Sequence, residues 1–96
     1  MQNALVSIQI LPQTPNGESV IPYVDKAISL IDQAGVSYRV GPLETTMEGE
    51  LTQLLQLVAK LNEEMVKLGC SQVISQVKVL YNPEGISMGA LIKKYD

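Results

Sequence analysis

The sequence predicts an α+β fold, in which a four-stranded antiparallel sheet carries two helices on one face. Three observations support this prediction: segments of alternating apolar residues, segments with apolar residues at helical spacing, and the order of these segments along the chain. Alternation indicates a half-buried strand, whereas recurrence about every 3.6 residues indicates an amphipathic helix. The segments follow the order β-α-β-β-α-β, and a short helix is predicted after the last strand.

The first strand and the first helix are separated by a clear break. Apolar residues alternate over positions 4–11, and proline, asparagine and glycine residues then interrupt the pattern. A helix follows, because Ser19 can cap it and Pro22 is tolerated in a first turn. Its apolar residues recur at helical spacing up to Ala34, and Gly35 is typical of a helix end.

The middle of the chain predicts a hairpin and a longer helix. Residues 36–40 alternate, Gly41-Pro42 interrupts the pattern, and residues 43–48 form a second extended run. Two strands so close in sequence are expected to pair as a hairpin. From about Glu50 the apolar residues return to helical spacing, and Gly69 ends the helix. Its predicted apolar stripe consists of Leu51, Leu54, Leu55, Val58, Leu61, Met65 and Leu68.

The last strand is predicted from Val73 to Tyr81, where apolar residues alternate again. Asn82-Pro83-Glu84-Gly85 is expected to turn the chain, and Ser87 can cap a short final helix that reaches about Tyr95. This order of elements is the split-βαβ, ferredoxin-like pattern. A chain of 96 residues suffices for one such domain, which we assign to residues 1–96.

The sheet face without helices is expected to be polar but weakly charged. If the more apolar side of each strand faces the helices, the other side carries Ser7, Gln9, Ser37, Arg39, Gln76 and Lys78, flanked by Leu5, Leu11, Ile74 and Leu80. Such a face can stay solvated or stack on a second copy of the chain. Because a 96-residue chain has a thin core, we favour self-association as a source of added stability.

Composition excludes several classes of function. The chain has no histidine and one cysteine, Cys70, which excludes imidazole catalysis, His-ligated metal sites, an internal disulfide and a cysteine zinc cluster. Ten acidic residues against seven basic ones argue against nucleic acid as the main partner. Since no segment approaches the ~18 apolar residues that span a bilayer, and the N-terminus lacks the features of a signal peptide, we expect a soluble cytoplasmic protein without membrane contacts.

The segment Gly41–Glu50 is the best candidate for a binding site. It holds three acidic residues and no basic residue, and two threonines lie between Glu44 and Glu48. Carboxylates and hydroxyls at the entrance to a helix can bind a cationic heterocycle that bears an amine. The same residues can also be structural, because a carboxylate complements the helix dipole and threonines are ordinary strand residues.

An enzymatic role for these carboxylates is not favoured. Glycoside hydrolysis needs an acid and a base at a defined separation. On one strand face, Glu44 and Glu48 would lie roughly 13 Å apart, which is long even for an inverting pair. The segment lacks the spacing of an EF-hand, and the sequence has no glycine-rich phosphate loop. We therefore predict a non-enzymatic protein with no catalytic residue and no metal site.

Three stretches of the sequence resemble those of a known family. They run from Val6 to Pro12, from Tyr38 to Glu50 and from Val73 to Val79. The second stretch holds a Gly-Pro-x-x-Thr-x-x-Glu-Gly signature, formed by Gly41, Pro42, Thr45, Glu48 and Gly49. Through these stretches, the whole chain resembles the small thiamine-binding proteins that are related to the YkoF-type domains.

The resemblance implies a ferredoxin-like subunit that pairs sheet to sheet in a homotetramer, a dimer of dimers. It also implies binding of thiamine or its hydroxymethylpyrimidine moiety, without chemistry and without a cofactor. By position, Thr45 and Glu48 match the family signature, and Ser7 matches a polar position of its first strand. Gln9, Thr46 and Tyr38, whose ring could form an aromatic wall, complete the predicted ligand-binding set: Ser7, Gln9, Tyr38, Thr45, Thr46 and Glu48.

The sequence departs from the family at one place, and two other functions stay open. Many members follow the fourth strand with a charged segment that contains arginine, whereas this chain has Leu80-Tyr81-Asn82-Pro83-Glu84. One alternative function is a structural or interaction module whose open sheet recruits another protein. The other is a regulatory domain that senses an amino acid or another metabolite, because one scaffold supports all three functions.

Overall fold

In the computed structural model, which describes residues 2–95, the elements follow the predicted order. The strands and helices have these bounds: β1 Gln2–Pro12, α1 Ile21–Gln33, β2 Ser37–Val40, β3 Thr45–Gly49, α2 Leu51–Lys67, β4 Val73–Ile86 and α3 Met88–Ile92. Short 3₁₀ turns occupy Pro15–Gly17 and Lys93–Tyr95. The strands form one four-stranded sheet in the order β2-β3-β1-β4, and every neighbouring pair is antiparallel. With α1 and α2 on one face, this is the predicted ferredoxin-like α+β fold.

The core lies between α1, α2 and the sheet face that they cover. Alternate residues of β1 and the centre of β3 meet helix residues spaced by three or four positions. The core consists of Ala4, Val6, Ile8, Ala27, Leu30, Ile31, Met47, Leu54, Leu57, Leu61, Met65 and Cys70. Full burial of a leucine, isoleucine or methionine side chain contributes about 1.5–3 kcal/mol. This layer therefore fixes which side of the sheet faces the helices and which side is left open.

Helix α1 begins and ends on local signals that the sequence carries. The Oγ of Ser19 accepts a hydrogen bond from the backbone N–H of Ile21 at 3.2 Å. Pro22 lies in the first turn, where its missing N–H breaks no helical hydrogen bond. After the helix, Gly35 has a φ of 78°, a left-handed conformation that glycine adopts without a steric penalty. The predicted start and end of this helix are thus confirmed to within two residues.

Helix α2 is tied to the first and last strands through side-chain hydrogen bonds. The Oδ1 of Asn3 accepts from the backbone N–H of Leu51 at 3.0 Å, which satisfies one free donor at the helix start. At the middle of the helix, the hydroxyl of Ser75 in β4 donates to the Oδ1 of Asn62 at 2.7 Å. These bonds hold α2 against β1 and β4 on one face of the sheet. Helix α2 therefore does not cover the opposite face.

The apolar stripe of α2 differs from the predicted one. Leu54 and Leu61 are buried as predicted, and Leu57, which is absent from the predicted stripe, is buried as well. The prediction is wrong for Leu55 and Leu68, since each is 42% exposed. Leu55 lies about 100° around the helix from its buried neighbour, and Leu68 lies beyond the last helical residue.

Strand β4 continues beyond its predicted end at Tyr81. It reaches Ile86, which pairs with Gln2 after a shift in register. The turn signals act locally, because the Oδ1 of Asn82 accepts from the N–H of Glu84 at 3.0 Å and Gly85 has a φ of 115°. They produce an irregularity within the strand instead of its end. None of the helices described within residues 2–95 is long and apolar enough to cross a membrane.

Candidate functional site

The sheet face opposite α1 and α2, which we call the open face, carries polar residues in rows. The first row, across β2, β3, β1 and β4, consists of Arg39, Thr46, Ser7 and Lys78. The next row consists of Ser37, Glu48, Leu5 and Leu80. Gln9 and Gln76 are paired in a third row. Because paired residues have Cβ atoms about 4.5–5.5 Å apart, these side chains form one continuous patch, on the face that strand alternation predicts.

The structure brings most of the predicted ligand-binding residues together on this patch: Ser7, Gln9, Thr46 and Glu48. Tyr38 and Thr45 lie on the other face of the sheet. Tyr38 pairs with the core residue Met47. Thr45 is buried and lines a separate cavity of about 210 Å³ beside α1. A ligand bound in the centre of the open face would therefore contact neither Tyr38 nor Thr45.

Tyr38 is held against helix α1 by a hydrogen bond. Its hydroxyl donates to the Oδ1 of Asp32 at 3.0 Å. This bond, with smaller contributions from burial and from the negative charge of Asp32, raises the pKa of the Tyr38 hydroxyl. Tyr38 thus joins the edge strand β2 to α1 at the margin of the core.

Ser7 occupies the centre of the open face and has an unusual environment. The residue is only 8% exposed. Its Oγ is fully buried and has no hydrogen-bond partner among the described residues. An unsatisfied buried hydroxyl costs about 1–3 kcal/mol, and such groups are rare in folded proteins. The hydroxyl of Ser7 can both donate to and accept from a molecule that binds beside it.

Glu48 connects the open face to the C-terminal part of the chain. Its Oε1 accepts a hydrogen bond from the backbone N–H of Met88, the first residue of α3, at 2.6 Å. The cap of α3 that the sequence predicts is also present, because the Oγ of Ser87 accepts from the N–H of Ala90 at 3.4 Å. A carboxylate offers about four acceptor positions, so Glu48 can hold Met88 and still accept from a ligand.

Charges of both signs lie on or beside the open face. The Nζ of Lys78 is 3.6 Å from the Oε1 of Glu44, and the Lys78 side chain is 81% exposed. An ion pair this exposed contributes about 0–1 kcal/mol. With Arg39 and Glu48 included, the two basic and two acidic side chains balance. The patch is therefore suited to a polar ligand that is neutral or carries one charge.

Two adjoining cavities occupy the open face. The first, of about 490 Å³, is polar and is lined by Gln9, Arg39, Gly41, Pro42, Leu43, Glu44, Thr46, Gln76 and Lys78. The second, of about 360 Å³, is mostly apolar and is lined by Leu5, Arg39, Thr46, Met88, Leu91, Ile92 and Tyr95. Arg39 and Thr46 line both cavities. Both volumes fall in the range of about 300–1,000 Å³ that is typical of small-molecule sites.

The sequence carries a signal for part of this arrangement. Arg39 and Lys78 are placed on the open face by strand alternation, although they are absent from the predicted ligand-binding set. No sequence pattern predicts the wall that α3 contributes to the apolar cavity, because the contact that positions α3 joins Glu48 and Met88, which are 40 positions apart. Within residues 2–95, no group of three or more histidine, cysteine, aspartate or glutamate side chains could hold a metal ion.

Comparison with known proteins identifies close relatives of the chain. Residues 6–96 match the family described as thiamine-binding protein. The chain is 41% identical over 95 residues to a UPF0045 protein of Clostridium perfringens, with 99% of both chains covered. A domain of unknown function from Bacillus cereus shares 38% identity with a TM-score of 0.91, covering 99% of this chain and 91% of its own. A Thermotoga maritima protein named for thiamine biosynthesis or salvage shares 29% identity with a TM-score of 0.87, covering 98% of this chain and 99% of its own.

Proposed function

Because the chain belongs to the thiamine-binding protein family, we propose that it binds thiamine or its hydroxymethylpyrimidine moiety reversibly on the open face. The observation that carries this proposal is the buried hydroxyl of Ser7, which has no partner among the described residues. It lies in one row with Thr46, which lines both open-face cavities. Ser7 lines neither cavity itself, but an unsatisfied polar group next to a residue that lines both supports a binding site for a small polar molecule.

The chemistry of an aminopyrimidine fits the groups of this face. The ring offers one exocyclic amino donor and ring nitrogens that accept hydrogen bonds. The hydroxyls of Ser7 and Thr46 can donate to ring nitrogens, and Glu48 can accept from the amino group. A hydrogen bond between an amino group and a carboxylate is charge-assisted and roughly twice as strong as a neutral one. Glu48 thereby provides both affinity and orientation for the ring.

The proposed role ends with binding and includes no reaction. General acid–base catalysis needs a side chain positioned to exchange a proton with the substrate. The two carboxylates on or beside the open face each have a partner in the protein, Glu44 with Lys78 and Glu48 with Met88. These partners favour a binding role for both carboxylates. The setting that we propose is the cytoplasm, where the free and buried Cys70 would stay reduced.

A thermal-shift series tests the proposed function. A ligand at about 100 times its Kd stabilises a protein by about 2.7 kcal/mol, which raises the Tm of a domain of this size by at least about 10 °C. We expect such a rise with thiamine or hydroxymethylpyrimidine. Millimolar concentrations of both compounds without any shift would refute the proposal and favour an interaction module. A shift with amino acids alone would favour a metabolite-sensing domain.

A double variant tests the location of the site. Thr46→Val with Glu48→Gln removes one hydroxyl and one carboxylate from the open face, and it is expected to abolish the thermal shift. The matched control is Thr52→Val with Glu63→Gln, which makes the same chemical changes at exposed positions of α2. Ligand binding that persists unchanged in the first variant would place the site elsewhere.

We also propose that the chain self-associates through the open face into a homotetramer, as the sequence resemblance implies. Three large apolar side chains on this face are well exposed: Leu11 at 44%, Ile74 at 56% and Leu80 at 46%. Leu11 and Ile74 are paired across β1 and β4, and such an exposed apolar pair suits an interaction surface. Light scattering after gel filtration measures the mass of the assembly. Ile74→Lys is expected to lower that mass, whereas Val66→Lys on α2 leaves it unchanged; a monomeric native protein would refute the proposal.

A further inference from the structure

The C-terminal segment Ser87–Tyr95 buries little of its own side-chain surface. None of the five residues of α3 is buried. Leu91 is 48% exposed and Tyr95 is 75% exposed. The hydrogen bond from the Met88 N–H to Glu48 links the start of the segment to the sheet. Segments with little buried apolar surface open locally at a low cost in free energy, so this segment can open without unfolding the sheet.

This segment nevertheless covers part of the open face. Leu5 lies on the side of the sheet without α1 and α2, yet it is only 8% exposed. Leu5, Arg39 and Thr46 form the sheet side of the mostly apolar cavity of about 360 Å³. The opposite wall is made by Met88, Leu91, Ile92 and Tyr95. The space between them has the Thr46 hydroxyl and the Arg39 side chain on its sheet side and mostly apolar side chains on its outer side.

Such a space suits a flat heteroaromatic ring. The edge of an aminopyrimidine forms hydrogen bonds, whereas its faces pack well against aliphatic side chains. With the edge directed toward Thr46 and Glu48, one face of the ring would lie against Leu91. Removal of the leucine side chain would then expose the bound ring to water.

We propose that Ser87–Tyr95 is a lid that closes over the pyrimidine ring of the bound ligand, and that Glu48 holds the lid closed. This inference rests on the proposed function. Glu48 has two carboxylate oxygens: Oε1 accepts from Met88, and Oε2 is the atom that would accept from the amino group of the ligand. Ligand and closed lid therefore share one carboxylate, and each favours the position of Glu48 that the other requires.

The lid acts on the rate of ligand release. Most affinity differences between related complexes arise in koff, and a lid must open before the ligand leaves. The Leu91 side chain is 48% exposed, so Leu91→Ser removes roughly half of the hydrophobic burial of a full leucine from the closed complex. This loss of stabilisation corresponds to an increase in koff of about fivefold. Because thiamine and hydroxymethylpyrimidine share the ring beneath the lid, the increase is the same for both.

Ligand-release kinetics with the full-length protein test the lid. The koff of thiamine and of hydroxymethylpyrimidine is measured for the native protein, for Leu91→Ser and for the control Leu55→Ser, an exposed leucine of α2. We expect about a fivefold increase for Leu91→Ser with both ligands and no change for the control. Equal koff in all three proteins would overturn the lid while leaving the binding function intact. Native protein that binds neither ligand would overturn the proposed function and the lid with it.

Amide hydrogen exchange provides an independent measurement on the native sequence. The backbone amides of Met88, Ala90 and Leu91 all donate hydrogen bonds within or from the segment. Saturating ligand is expected to slow their exchange at least tenfold, because exchange requires the lid to open. Ligand that binds without slowing these amides would overturn the lid.

Discussion

Replacement of Ser7 by alanine is expected to stabilise the ligand-free protein and to weaken ligand binding at the same time. The Ser7 hydroxyl is buried without a hydrogen-bond partner among the described residues. Such a group costs about 1–3 kcal/mol, and alanine removes this cost while the backbone pairing of β1 stays intact. In a domain of this size, 1 kcal/mol shifts Tm by about 4–8 °C. Ser7→Ala is therefore expected to raise Tm by at least about 4 °C.

The binding effect of Ser7→Ala has the opposite sign. A typical neutral hydrogen bond contributes about 0.5–1.5 kcal/mol, so its loss raises the Kd for the ligand about 2- to 13-fold. Thermal unfolding and titration calorimetry measure the two effects, with Ser71→Ala, at an exposed serine between α2 and β4, as the control. A lower Tm for Ser7→Ala would show that the hydroxyl is already satisfied in the free protein. A higher Tm with an unchanged Kd would separate Ser7 from the ligand site.

Three further predictions concern the scaffold. Asn3→Ala removes the cap on the Leu51 N–H and is expected to lower the free energy of unfolding by about 0.5–2 kcal/mol in urea denaturation; an unchanged value would show that solvent replaces the cap. Leu61→Ala, at a side chain that is 0% exposed, is expected to cost about 2–5 kcal/mol in the same assay, and a loss below 1 kcal/mol would contradict the described core. The hydrogen bond from the Tyr23 hydroxyl to Glu18, with smaller effects of burial and charge, raises the pKa of Tyr23 to about 12. Because the folded pKa is raised, this bond stabilises the protein fully below pH ~10 and its contribution is lost as the pH rises toward 12. Titration by tyrosinate absorption is expected to show this late step, and Glu18→Gln should move it to lower pH.

Strand alternation predicts the open face because a pleated strand alternates its side chains strictly between two faces. Ser7, Gln9 and Lys78 lie where this rule places them. The rule cannot be carried across the turn between β2 and β3, where the Gly41 N–H donates to the Glu44 carbonyl at 2.8 Å. The length and shape of that turn decide which side of β3 faces the helices. The sequence therefore identifies two adjacent threonines as candidates without deciding between their faces.

The contacts that shape the site are long-range and leave no local pattern. Ser87 is predicted as a cap because its partner lies three positions away. The bond between Glu48 and Met88 joins residues 40 positions apart. It depends on the path by which the chain leaves β4 and reaches the open face. That path depends in turn on the irregularity near Asn82, which local rules interpret as the end of the strand. The lid is therefore visible only in the folded structure.

Ligand binding and self-association can share the open face because they use different ends of it. The lid lies over Leu5, whereas the exposed pair Leu11 and Ile74 lies six positions further along β1, roughly 20 Å away. A second copy that packs on Leu11 and Ile74 would leave the lid free to open. Ile74→Lys is therefore expected to weaken the assembly while it leaves the Kd for thiamine within about twofold of the native value. A dissociated variant that has lost its affinity for thiamine would show instead that a neighbouring subunit completes the ligand site.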